Sequence, residues 1–387
     1  MKNGIDINNP APLYEQVERD IKDRIKTCEL KPGDQIGSHQ ELTKKYDVSL
    51  ITIKRALSNL VSSGILFTRV GKGTYVAEQK QPKLDLGRHK TIGLVLRDLK
   101  HPFFSLVVHS IEEKAYELGY TLLLSSSSGD IEKEENQINH FRNLGVDGLI
   151  IASLSLEYRA TDYIQKLHEE NFPYIMVSYM HDPDYWYVGS NHELGGFIAT
   201  EHMIKIGYNS IGYVHVGKGN LLSEVRKNGY YRALTDYNLP FNSDRIFFLG
   251  SEHFDAGSDR FKLGYEFGVD FSKMTDRPEA LVVYSDLVIL GFLKACAEKG
   301  IKIPGDVSII GFDDIEMAKH ASTPLTTVRQ DYNKIGSLAV DIIQKRIDRI
   351  DIGNRTILKP TVVVRESCGI NMNLKLNPIN INSTKAS

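Results

Sequence analysis

Leu13, Val17, Ile21 and Ile25 recur every four residues between Pro12 and a Leu30-Lys31-Pro32-Gly33 turn, the period of an amphipathic helix with one apolar stripe. Ser38 and Glu41 are spaced as a capping box, which predicts a short second helix from His39 to about Tyr46 with Leu42 facing inward. Ser49 can cap a third helix, in which Ile53, Ala56, Leu57, Leu60 and Val61 share one face and Gly64 supplies a left-handed stop. Ile65 to Val70 and Thr74 to Ala77 then read as short strands joined by Gly71-Lys72-Gly73, a turn that needs glycine at positive φ. Helix, turn, helix and wing in this order predict a small α+β winged helix-turn-helix domain over residues 1–78.

The pattern lapses from Glu78 to Lys90, a polar stretch holding Pro82 and Gly87, so residues 79–90 are expected to be a linker. From Thr91 the chain alternates strand-sized apolar runs with amphipathic segments. The runs are Ile92 to Leu96, Thr121 to Leu124, Gly148 to Ala152, Tyr174 to Val177, Ile211 to Val216, Leu281 to Tyr284 and Val307 to Ile310. Among the segments between them are Phe104 to Leu118, Glu132 to Leu144, Gly195 to Ile206 and Leu287 to Lys299. Alternation of this kind builds doubly wound parallel sheets, and the number of runs predicts two of them in residues 91–387. Such folds bind ligands beyond the carboxyl ends of their strands. Polar residues follow several runs: Arg97 and Asp98, Ser178 and Tyr179, Ser285 and Asp286, Asp313 and Asp314.

Composition changes this picture in two respects. The net charge of −2 divides unevenly, because residues 1–80 carry 13 Lys+Arg against 10 Asp+Glu. A mildly basic head on an acidic body suits phosphate contacts made by the head alone. Cys28, Cys296 and Cys368 form no Cys-x-x-Cys pair, so neither a disulfide framework nor structural zinc is expected. No run reaches the 18 or so apolar residues of a membrane span and no signal peptide is evident, so a cytoplasmic protein without membrane contact is expected. Gly217-Lys218-Gly219 lacks the spacing of a phosphate loop, no His-Glu-x-x-His or Gly-x-Ser-x-Gly occurs, and neither catalysis nor a cofactor is expected.

Pro12-Leu13-Tyr14-x-Gln16, Leu30-x-Pro32-Gly33, Glu41-Leu42, Val48-Ser49, Thr52-Ile53-Lys54-x-Ala56-Leu57 and Gly71-Lys72-Gly73-Thr74 together resemble the winged helix of the GntR family of regulators. The resemblance implies double-stranded operator DNA as partner, met by Gln40, by Ser49, Leu50, Thr52, Lys54 and Arg55 around the start of the third helix, and by Lys72 and Gly73 in the wing. Leu50 and Lys54 stand where that family usually has arginine, and a lysine offers a point charge in place of a planar fork.

A second set of motifs resembles the sensor of the lac and galactose repressor family, itself similar to periplasmic sugar-binding proteins. It comprises His101-Pro102-Phe103-Phe104, Val146-Asp147-Gly148, Glu201-His202-Met203-x-x-x-Gly207-Tyr208, Arg226-x-x-Gly229-Tyr230, Gly311-Phe312-Asp313-Asp314 and Pro324 to Gln330. The resemblance implies a two-lobed α/β periplasmic-binding-protein-like sensor. In it Phe104, Arg226 and Asp313 contact a small effector, with Ser178, Ser285 and Tyr332 around the cleft. Ser285 replaces a usual asparagine. A GntR-type head on this sensor resembles the arabinose repressor arrangement. The expectation is a homodimeric repressor of carbohydrate-utilisation genes, released from its operator by a sugar. A nucleobase sensor and a solute-binding protein are the alternatives. From the residues alone, Arg226 can equally be an ion-pair partner, and Asp313 or Asp314 a helix cap.

Overall fold

The computed structural model describes residues 11–27, 29–69, 73–77, 90–99, 101–152, 160–217, 220–250 and 259–370. The chain forms two compact units, Met1–Leu84 and Asp85–Ser387. The expected linker lies outside the described residues up to Lys90, which opens a strand of the second unit.

In the first unit, helix α1 (Leu13–Lys26) buries Val17 and Ile21. Helix α2 (His39–Tyr46) has the expected cap: Ser38 Oγ accepts from the Glu41 amide at 3.2 Å, and the Ser38 amide donates to Glu41 Oε2 at 2.7 Å. Helix α3 (Leu50–Ser62) starts at Ser49, whose Oγ accepts from the Thr52 amide, and is followed by Gly64 at φ 71°. Strands β1 (Leu66–Arg69) and β2 (Gly73–Val76) pair antiparallel. The Asp34–Ile36 segment adds to the far edge of β2 through Ile36 N to Thr74 O and Val76 N to Asp34 O. Val17, Ile21, Leu42, Ile53, Ala56, Leu57, Leu60, Leu66 and Val76 close one core between helices and hairpin.

The second unit holds two six-stranded sheets. The first is ordered β13 (Arg355–Leu358), β7 (Tyr187–Ser190), β6 (Tyr174–Ser178), β5 (Gly148–Ala152), β3 (Lys90–Leu96) and β4 (Tyr120–Ser126), all parallel. The second is ordered β14 (Thr361–Val363), β12 (Thr327–Arg329), β11 (Ser308–Asp313), β10 (Ala280–Val283), β8 (Ile211–Val216) and β9 (Ile246–Leu249). It is parallel except for β14, an antiparallel edge strand. Helices α4 (Pro102–Glu117), α5 (Ile131–Leu144), α6 (Asp162–Glu169) and α12 (Tyr332–Ile347) belong to the first lobe. Helices α7 (His192–Lys205), α8 (Leu221–Asp236), α9 (Arg260–Phe271), α10 (Asp286–Glu298) and α11 (Glu316–His320) belong to the second.

The chain crosses between lobes three times: after β7 at Asn191, after β12 at Gln330, and between β13 and β14 at Lys359. Close helix packing sets the second lobe. A Cβ at Gly196 of α7 would lie 1.9 Å from the Arg226 carbonyl of α8, and one at Gly229 would lie 2.0 Å from the Glu193 carbonyl. Two backbones this near admit only glycine.

Candidate effector cleft and DNA face

Arg226 lies in the second turn of α8, whose N-terminus follows β8, and is 3% exposed. Its guanidinium sits 3.5 Å from the Phe312 ring centroid and 4.7 Å from that of Tyr284, an arrangement in which ring faces offset part of the cost of burying the charge. Nη1 donates to the Tyr284 carbonyl at 2.5 Å, and Nη2 is 3.7 Å from Asp313 Oδ1. Asp313 ends β11 at φ 109°, a backbone angle that side chains rarely adopt and that marks a position held by its surroundings. Its Oδ1 accepts from Gln330 Nε2 at 2.8 Å. Burial pushes its carboxyl up to about 6, against the pull of Arg226, Gln330 and Arg260.

Two of the three crossovers therefore reach this pair. Gln330 holds Asp313 from one of them. From another, His192 Nδ1 lies 3.3 Å from Arg226 Nη2 while its Nε2 lies 3.1 Å from the Ser178 carbonyl. Nε2–H donating to that carbonyl leaves Nδ1 to accept from the guanidinium. Burial and Arg226 hold His192 down at about 3, so the ring is neutral at physiological pH.

Of the residues expected at the effector, the fold brings Arg226 and Asp313 into direct contact and decides their alternatives. Arg226 is not a surface ion-pair partner. The cap before α11 falls on Ile315, and Asp314 is bound instead by Arg329 Nε and Arg365 Nη2, both at 2.6 Å. Phe104 is buried near the start of α4, with its ring 5.9 Å from His101. Tyr332, the first residue of α12, packs against the same apolar core as Phe104. Ser178 ends β6 at φ 81° and offers its carbonyl to His192. Ser285 precedes α10 without capping it, and its hydroxyl is buried with no hydrogen-bond partner among the described residues. His192, Gln330, Tyr284, His101 and Arg260 were not among the effector contacts expected from the sequence. His192 follows β7, in which Gly189 and Ser190 interrupt the apolar run, and Gln330 was seen only as the end of a motif.

On the head, Gln40 and Lys54 are exposed, Thr52 is half-buried, and Ser49 is committed to capping α3. Ser49 Oγ and Thr52 Oγ1 also lie 2.8 Å apart. Arg55 stacks 4.0 Å from the Tyr14 ring, and Asn59 donates to Glu18 Oε1 at 2.7 Å. Arg55 and Asn59 thus both contact α1 while remaining exposed. Leu50 is 45% exposed and Ile51 79%, leaving two adjacent apolar side chains on the first turn. Gly73 opens β2 at φ 110°, and Lys72 lies outside the described residues.

Residues 13–76 match the family model described as bacterial regulatory proteins, gntR family. Residues 92–238 match a periplasmic binding protein domain and 200–368 a periplasmic binding protein-like domain. The HTH-type transcriptional repressor PurR of Aliivibrio salmonicida is 31% identical over 280 residues, which cover 72% of this chain and 81% of that one. The chain belongs to the LacI family of transcriptional repressors. The arabinose metabolism transcriptional repressor of Geobacillus stearothermophilus is 28% identical over 364 residues, covering 92% of this repressor and 97% of that one. A LacI family transcriptional regulator from Enterococcus faecium, solved with bound ribose, matches at a TM-score of 0.61 and 25% identity over 72% of this chain and 98% of its own. CcpA of Lactococcus lactis shares the fold at a TM-score of 0.63 and 23% identity, over 72% and 99% of the two chains. The repressor thus joins a DNA-binding head to a sensor that binds an effector.

Proposed function

We propose that this repressor binds a polyhydroxylated, sugar-like effector between its lobes, and that binding releases a homodimer from operator DNA in the cytoplasm. The observation that carries the reading is the buried Arg226–Asp313 pair, tied to two crossovers through His192 and Gln330. A guanidinium and a carboxylate both make charge-assisted hydrogen bonds to hydroxyls, while Phe104 can offer an aromatic surface to an apolar sugar face. A ligand that competes for these groups also perturbs the segments on which one lobe turns against the other. It need favour one lobe arrangement by only a few kcal/mol to shift the population, and operator must weaken effector binding by the same factor.

The arabinose repressor of G. stearothermophilus, similar along nearly its whole length, and the ribose bound to the E. faecium regulator both favour a sugar. No reaction is assigned to the site. The head would meet DNA with the first turn of α3, where Lys54 suits a phosphate, Gln40 and Thr52 offer hydrogen bonds, and Leu50 and Ile51 suit thymine methyl groups. Arg55, Ser49 and the wing residues Lys72 and Gly73 complete the proposed contact surface. For the homodimer, a groove of about 390 Å³ on the second lobe is lined by Phe261, Leu287, Leu290, Leu293 and Met317, an apolar surface of the kind that a second copy would cover.

The test replaces Arg226 by lysine, which keeps the charge and loses the planar, stacked fork. Operator release followed by fluorescence anisotropy should then require roughly 10- to 100-fold more of the inducing sugar. An unchanged dose-response would remove Arg226 from the effector site.

A further inference from the structure

The first turn of α3 presents hydrocarbon at the end of the helix that would enter a groove. Leu50 and Ile51 open the helix, are both exposed, and belong to no part of the head's apolar core. A β-branched isoleucine on an exposed helical turn does not favour the helix either, so folding supplies no reason for the pair. The two hydroxyls beside it are engaged with each other and with the helix end: Ser49 Oγ accepts from the Thr52 amide at 3.2 Å and lies 2.8 Å from Thr52 Oγ1.

Charge borders this pair in the chain. Lys44 and Lys45 stand in the last turn of α2, Lys54 and Arg55 one turn into α3, and Asp47 is the one acid between Lys44 and Arg55. Lys54 lies four residues after Leu50 and three after Ile51, the spacings that share a helix face. Both cations of α3 are exposed. Hydrocarbon and positive charge on one face fit a polyanion that also carries apolar groups.

Duplex DNA has one such group in its major groove. Every base edge there offers donors or acceptors, and only thymine adds hydrocarbon, its C5-methyl. A leucine or isoleucine laid on a guanine, adenine or cytosine edge takes water from polar atoms and returns no hydrogen bond. Laid on a thymine methyl, it buries apolar surface against apolar surface. Phosphate contacts by Lys54 and Arg55 would set the register and carry no base information.

We propose that Leu50 and Ile51 are specificity-determining residues that read thymine in the operator by its C5-methyl group. The inference rests on the reading of α3 as the DNA face, with its first turn at the base edges, and adds what that turn selects.

The test uses the full chain and a duplex that it selects from a random-sequence library. Each thymine in turn is replaced by deoxyuridine, which removes one methyl and keeps every hydrogen-bonding group, and affinity is read by fluorescence anisotropy. At one or more positions the loss should be about 3- to 10-fold. At each such position Leu50→Ala or Ile51→Ala should bring the ratio of the two affinities below about twofold. Both residues lie outside the core, so circular dichroism should show the variants folded. Variants that weaken the thymine and deoxyuridine duplexes equally overturn the inference, because support of the helix alone would do the same. A selected duplex indifferent to deoxyuridine at every thymine also overturns it. Sedimentation showing that the variants lose self-association while operator affinity is untouched would assign the pair to contact between copies of the chain, and the inference falls. In each case the DNA face itself stands if Lys54→Ala lowers the salt dependence of binding. Affinity indifferent to Leu50, Ile51 and Lys54 alike removes both readings.

Discussion

The head and the cleft solve recognition in opposite ways. The candidate DNA face centres on one helix of 13 residues, α3, whose buried side is complete without the partner, so the residues on its outward side are individually replaceable. In the cleft, Arg226, Asp313, His192 and Gln330 come from α8, β11, α7 and the chain after β12, are all buried, and are joined by contacts from Gln330 to Asp313 and from His192 to Arg226. A long-range, screened contact with phosphates can be assembled from surface charge. A short-range contact with a small ligand needs groups already desolvated and fixed, which a fold supplies only by bringing distant segments together.

The sharpest way to break the contrast is Gly196→Ala. Its Cβ would meet the Arg226 carbonyl at 1.9 Å, so α7 and α8 must separate, at a cost of about 3 kcal/mol. Calorimetry should show the sensor's unfolding transition lowered by about 6–12 °C, with the head's transition unmoved. A head that loses stability in step would show that the two units do not fold independently.

A smaller effect comes from pH. Asp313, raised to about 6 against an ordinary value of 3.8, offers a charged acceptor at both oxygens only when ionised. Effector affinity should be level above about pH 7 and fall by up to about tenfold per unit below 6. His192 and His101, held near 3 against 6.5, work on stability instead. The unfolded chain binds their protons first, so sensor stability declines as pH falls from about 6.5 towards 3. Asp313 acts in the reverse sense between about 4 and 6, gaining stability as the medium becomes more acid. Operator binding by the head has no such buried group in its proposed surface. An effector affinity that is flat from pH 5 to 8 would separate Asp313 from the ligand.

The smallest change is Lys54→Ala on the exposed side of α3. It should weaken operator binding a few-fold and reduce the slope of log affinity against log salt by about 1. An unaltered slope would mean that this ammonium does not sit at a phosphate.

Much of the head is legible in the chain because its determinants are local. Ser38 with Glu41, Ser49 with Thr52, and Gly64 set helix ends within four residues of themselves. The sensor's core strands are legible for a similar reason, since strands buried on both faces read as unbroken apolar runs such as Ile211 to Val216. The edge strands β9, β13 and β14 were missed because they are three or four residues long and half exposed. Arg55 is exposed, as a DNA contact requires, and only the tertiary structure shows that its guanidinium also stacks on Tyr14.

The sequence by itself determined a winged head, a two-sheet sensor and the polar residues at strand ends, because periodicity, caps and turns act over a few neighbours. Tertiary structure alone decided that Arg226 pairs with Asp313 across 87 positions of chain, and that His192 and Gln330 link this pair to the crossovers. Desolvation and charge proximity depend on where distant segments meet, and no local pattern encodes that meeting.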